Sequence, residues 1–129
     1  MHRNIHKRMK SSVIMLLLST PFFLMISVTT ALAHSPVLWC YVEDGKVHVE
    51  AFFSNGRKVR GAQVVVVNQN GKKLIEGHTN KEGLFQFDYK GKDDITIVLK
   101  VDADHVADFT LTKQDFLDAE KEAGGQEFK

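Results

Sequence analysis

Cysteine is nearly missing from this chain: Cys40 is the only one in 129 residues, so no internal disulfide can brace the fold. Bulky Trp39 stands where a lipid-attachment signal needs a small residue before its cysteine, which sets a lipoprotein aside. Cys40 is read as a small buried hydrophobe on a strand rather than as a metal-binding or reactive thiol. Also missing are a nucleophile elbow, a phosphate-cradling glycine loop, a zinc-protease helix and a paired-carboxylate motif. Hydrolytic and transferase mechanisms therefore have no visible foothold, and the protein is not expected to be an enzyme. No internal repeat or low-complexity segment is present.

An excess of positive charge is missing too, once the first third of the chain is set apart. Residues 1–12 carry Arg3, Lys7, Arg8 and Lys10 and no acid, and 13–28, VIMLLLSTPFFLMISV, form an apolar run ending near Ala31 and Ala33. A basic start, an apolar core and an Ala-x-Ala end are the signature of an export signal, with cleavage expected after Ala33. The run is shorter than the roughly 20 residues of a spanning helix, and Pro21 and the polar Ser19, Thr20, Ser27, Thr29 and Thr30 favour a cleaved leader over an uncleaved membrane anchor. Residues 1–33 hold four of the 17 Lys/Arg and none of the 16 Asp/Glu, so the mature chain keeps 13 against 16, a net −3. No basic patch argues for nucleic acid. The remaining 96 residues suffice for one compact core and not for two.

What is present is β-pattern. From Val37 to Leu111 short β-rich runs alternate with turn signals, the spacing of an all-β sandwich. VLWCYVE and KVHVEAFF flank Asp44-Gly45, a two-residue turn that pairs Glu43 with Lys46. That register puts Trp39 opposite Glu50 and Tyr41 opposite His48 on one face, and Leu38, Cys40, Val42, Val47, Val49, Ala51 and Phe53 on the other, which is the expected core. QVVVVNQ, with unbroken valines, predicts a strand covered on both sides. KKLIEGHT, LFQFDY, ITIVLKV and HVADFTL bring the total to seven strands, the last with His105, Ala107, Phe109 and Leu111 on one side. Thr112 with Asp115 three residues on resembles a capping box, and Gly124-Gly125 is expected to stop a short helix before a loose tail. The domains are thus a leader, 1–33; a sandwich, 34–112; and a helix with tail, 113–129.

Cleavage after Ala33 would make His34 the first residue, offering its α-amine and its ring Nδ1 to one cation in a six-membered chelate. Both groups can shed a proton near neutral pH when a metal competes for the site, and two nitrogen donors favour Co(II), Ni(II), Cu(II) or Zn(II). His34 is not the third mature residue and Pro36 has no amide proton, so the square-planar amino-terminal motif with deprotonated amides cannot form. Further ligands must come from elsewhere: His48, His78, His105, Glu50, Asp102 and Asp104 are the candidates. Of these His105, in VDADHVADF before the last strand, could meet the amino terminus at a rim. His48 and His78 have no ligand-like neighbour at fixed spacing and are read as ordinary solvated side chains; the plain alternative for Glu50 is a surface carboxylate opposite Trp39.

The residues AHSPVLW, VEDGKVHVEAFFSNG, GKKLIEGHTNKEGLFQF, DITIVL and DHVADFTL together resemble the small periplasmic accessory component of bacterial nickel or cobalt importers of the energy-coupling-factor type. The middle portion also resembles the carboxypeptidase regulatory-like, transthyretin-like sandwich. This resemblance implies a single seven-stranded antiparallel sandwich of immunoglobulin-like or transthyretin-like form, binding Ni(II) or Co(II) outside the cytoplasm and presenting it to a membrane-embedded importer subunit. It carries metal roles to His34, Glu50 and His105. Where the family has Gly-His-Arg or Gly-His-Lys, this chain reads Asp104-His105-Val106, so Asp104 is either an added oxygen ligand or a change in the loop.

Two alternatives stay open: a structural or carbohydrate-associated module working through Trp39, Tyr41 and Phe52, and a periplasmic copper carrier, because Cu(II) outranks Ni(II) at nearly any nitrogen-rich site.

Overall fold

The computed structural model describes residues 34–125. The expected leader 1–33, its cleavage point and tail residues 126–129 lie outside the described residues.

Seven strands follow one another: β1 (Pro36–Glu43), β2 (Lys46–Phe53), β3 (Gln63–Asn68), β4 (Lys73–His78), β5 (Leu84–Asp88), β6 (Ile95–Lys100) and β7 (Val106–Leu111); one helix, α1 (Lys113–Gly125), closes the order. Strands β1-β2-β5 make one antiparallel sheet and β4-β3-β6-β7 the other. The expected all-β antiparallel sandwich with a C-terminal helix is what forms. Among the described residues no helix is long and apolar enough to cross a membrane.

The first hairpin has the register read from its turn, Glu43 opposite Lys46, Tyr41 opposite His48 and Trp39 opposite Glu50. Asp44 (φ 51°) and Gly45 (φ 73°) both adopt the left-handed backbone that a two-residue turn of this twist needs. Alternation then sends Leu38, Cys40, Val47, Val49 and Ala51 inward, where they meet Val64, Val66, Ile95, Ile97 and Leu99 of the second sheet. Each fully buried Val, Ile or Leu contributes about 1.5–3 kcal/mol, so these two rows are the main stabilising element.

Strand β3 departs from expectation. Val64 and Val66 are fully buried, but Val65 and Val67 are half-exposed, so the valine run is covered on one side only. Its centrality in the sheet, between β4 and β6, comes from backbone pairing on both edges rather than from a layer on its outer face. The helix also runs further than expected. It continues through Gly125, its start held by Thr112 and Asp115, whose carboxylate accepts from both the Thr112 amide and hydroxyl at 2.7 Å. Phe116 docks it, buried in the core and 5.2 Å from the Tyr89 ring.

Strands alternate in direction, which collects the chain segments before β1, between β2 and β3 (54–62), between β4 and β5 (79–83) and between β6 and β7 (101–105) at one end of the sandwich. This end is called the leading rim. The Asp44-Gly45 turn, segments 69–72 and 89–94, and α1 lie at the other end.

Candidate functional site

The leading rim holds His34, His78, His105, Asp102 and Asp104. Which of them are close follows from the strand order. Strands β1 and β7 belong to different sheets but adjoin, with Trp39 edge-on to Phe109 at a centroid distance of 5.7 Å. They run in the same direction, since the α1 that follows β7 packs against β1. Their starts, and therefore His34 and His105, share one corner of the rim. His78 ends β4, at the far side of a sheet ordered β4-β3-β6-β7; three strand spacings put it roughly 14 Å from the β7 corner.

The two histidines reach that corner with different backbone geometry. His105 continues the row of Ala107, Phe109 and Leu111, which faces the interior, whereas His34 precedes β1, is exposed and has a left-handed backbone, φ 73°. The His34 ring is tilted against that of Phe53, 6.4 Å between centroids, and its Nδ1 lies 3.4 Å from Asn55 Nδ2.

His105 is tightly oriented. Its Nδ1 lies 2.7 and 2.9 Å from the two carboxylate oxygens of Asp102, and the same carboxylate accepts the backbone amides of Asp104 and His105, each at 2.9 Å. Asp102 is held below the ordinary carboxylate range first by the His105 ring and then by the Asp104 amide. With Nδ1 engaged, Nε2 is the ring nitrogen left to face outward on a half-exposed side chain. A carboxylate behind an imidazole is the arrangement that fixes the tautomer and raises the basicity of a ligating histidine. Asp104 contributes its backbone amide to this loop, and its side chain is exposed.

Glu50 stands apart. It lies three residues inside the rim end of β2, about 10 Å along the strand, on the outer face of the first sheet. There it neighbours Tyr41, whose hydroxyl is pushed up in pKa by partial burial and then by the Glu50 charge. Tyr41 also stacks flat on His48, 4.9 Å between ring centroids at 10°. Tyr41, His48, Glu50, His78 and Asn80 line an open groove of about 450 Å³. The four expected metal residues are therefore divided: His34 and His105 share a corner, Asp104 lies in the same loop as His105, and Glu50 belongs to the outer-face groove. Among the described residues no three His, Cys, Asp or Glu side chains converge on one point suited to a metal ion.

Sequence reasoning ranked Asp104 over Asp102, whereas Asp102 is the residue that grips His105. The signal was available in the spacing: an Asp three residues before a histidine in a short loop can accept successive backbone amides and the ring together, as Asx turns do. The Asn55 contact to His34 had no sequence signal, because it depends on the β2–β3 segment folding back on the amino terminus, with the Ser54 amide bonded to the Ser35 carbonyl at 3.0 Å.

Comparison of the chain with protein-family models, with curated proteins and with solved structures returns no match.

Proposed function

We propose that the chain is an exported accessory protein for transition-metal uptake, which holds nickel or cobalt at the β1/β7 corner of its leading rim and presents it to a membrane-embedded importer subunit. The observation that carries this reading is the Asp102–His105 pair, a half-exposed imidazole braced through Nδ1, which leaves Nε2 as the nitrogen for a ligand. His34, freed by cleavage after Ala33, supplies an amine and Nδ1; His105 supplies Nε2; Asp104 is the nearest source of oxygen in the loop. Glu50 takes part only if its side chain leaves Tyr41, and is the weakest member of the set. Three nitrogens leave further positions to water, which suits a cargo that must be passed on, and no catalytic step is assigned. Copper fits the same nitrogens, and competition among Cu(I), Cu(II), Ni(II) and Co(II) separates the carriers.

The test is a nickel titration of the protein recovered after export, with its amino terminus read by intact mass. His34→Ala and His105→Ala should each weaken binding at least tenfold, about 1.4 kcal/mol. Asp102→Asn should cost about 10–100-fold by releasing the ring. Unchanged affinity in both histidine variants would remove the site.

A second reading, a structural or carbohydrate-associated module, is favoured by one observation: Trp39 is 55% exposed on the outer face. Metal binding indifferent to His34 and His105 would turn the assignment toward it.

A further inference from the structure

The segment between β2 and β3 carries Arg57, Lys58 and Arg60, all exposed. Among the described residues none of the three is within ion-pair distance of a carboxylate. With Gly56 they line an open concavity of about 480 Å³. A run of cations in a connecting segment is ordinarily a solvated tip, but this one is held in place. Strand β5 covers β2 only as far as Glu50, and beyond that point the segment folds back to take its place. Phe52 bridges Lys58. The Phe53 amide donates to Arg57 at 2.7 Å, and the Val59 amide to Ala51 at 3.0 Å. Buried Val59 also accepts the Thr79 hydroxyl at 2.8 Å.

The bridge decides which way Lys58 faces. Cross-strand partners project from the same side, so Lys58 stands beside Phe52, and Phe52 opposite Val37, on the outer face of the first sheet. The next row along that face holds Trp39 and, across Glu50, Leu84. Val37, Trp39 and Leu84 are 38%, 55% and 40% exposed. Lys58 thus borders an apolar strip containing the chain's single tryptophan, and Arg57 and Arg60 flank it in the same exposed segment. At the other end of the molecule α1 carries Asp115, Asp118, Glu120 and Glu122 against Lys113 and Lys121, so the charge distribution has a direction.

We propose that this edge of the outer face, Arg57, Lys58 and Arg60 with Val37, Trp39 and Phe52, docks on a bilayer surface bearing anionic phospholipid headgroups. Basic side chains bordering exposed aromatic and aliphatic ones match an interface that is anionic outside and apolar beneath, and tryptophan is enriched at that depth. Among the described residues the concavity is lined by exposed residues only, with no buried polar side chain to fix one discrete anion, so the attraction is to a charged surface. Docking would hold the leading rim near the membrane with the acidic helix turned away, and it needs no bound metal.

Trp39 makes the test direct. The chain recovered after export is titrated with vesicles of phosphatidylcholine alone or mixed with phosphatidylglycerol, following tryptophan emission and sedimentation. We expect a blue shift and co-sedimentation with the mixed vesicles only, weakening with salt. The combined variant Arg57→Glu, Lys58→Glu and Arg60→Glu should bind about a hundredfold more weakly; the same three positions changed to Gln, with circular dichroism matching the parent, guard against a folding defect. Because parent and variants share one amino terminus, a retained leader would not create the difference. Equal binding by parent and variants, no shift with mixed vesicles, or displacement by inorganic phosphate beyond that of chloride at equal ionic strength would each overturn the proposal.

Discussion

Thr79 is the buried polar residue on which the leading rim depends. It is 4% exposed, and its hydroxyl donates to the Val59 carbonyl at 2.8 Å and accepts the Ala62 amide at 3.0 Å. Those bonds join the β4–β5 turn to the β2–β3 segment. Thr79→Val keeps the shape and removes both. The Val59 carbonyl and Ala62 amide, on residues that are themselves buried, would then lack these partners, at about 1–3 kcal/mol each. An added methyl returns about 0.8 kcal/mol, so the expected loss is about 1–5 kcal/mol, set against the roughly 5–15 kcal/mol typical of a domain. Thr79→Ser keeps the hydroxyl and loses one methyl, about 0.8 kcal/mol. Urea unfolding of both variants separates the terms: the midpoint should fall much further for Val than for Ser, with the slope unchanged. A Val variant as stable as the Ser variant would refute the hydroxyl's role and leave only packing at this position.

Gly83 has φ +76°, and a Cβ there would meet the Ala51 carbonyl oxygen; Gly83→Ala should cost at least about 2 kcal/mol in thermal melts, more than the roughly 1–2 kcal/mol of the left-handed backbone alone. Burial pushes the Cys40 thiol up to about 12, so a disulfide reagent at pH 8 should label it only through unfolding, at a rate that follows added urea; rapid labelling of the native protein would contradict its burial. Asp102, lowered by the His105 ring and nearby amides, contributes stability that is fully present above the ordinary carboxyl value of about 3.9 and is lost as pH falls through its own lower value. Carboxyl titration by NMR should therefore place Asp102 below the ordinary carboxyl value, and a midpoint at that value would dissolve the pair.

The first hairpin was legible almost to the atom, because an Asp-Gly turn sets register and register sets the face of every following residue. Strand β3 was misread for a reason that also lies in the physics: four valines in a row satisfy β-propensity on both faces, and propensity does not say whether a layer covers the second one. The helix end was misjudged because Gly124-Gly125 costs helix stability without forbidding helix. For the site, parity along β7 placed His105 with Ala107, Phe109 and Leu111 before any coordinates. The alignment of β1 beside β7 was not legible, since it is a contact between sheets that no backbone ladder records. Nor was the direction of Lys58, which follows from one bridge to Phe52.

That unladdered seam between β1 and β7 also bears on what Trp39 does. An edge shared by two sheets with no hydrogen bonds across it must be closed by side chains, and Trp39 set edge-on to Phe109 closes it. Part of the indole is therefore structural, and only its outer part is available to a partner. The same contact lies four to five residues from His105 and His34 along their strands, so the seam that Trp39 covers ends at the corner where the two imidazoles stand. The proposed metal-binding corner and the proposed membrane edge would therefore both lie at the leading rim, and a substitution at Trp39 should be read for its effect on both.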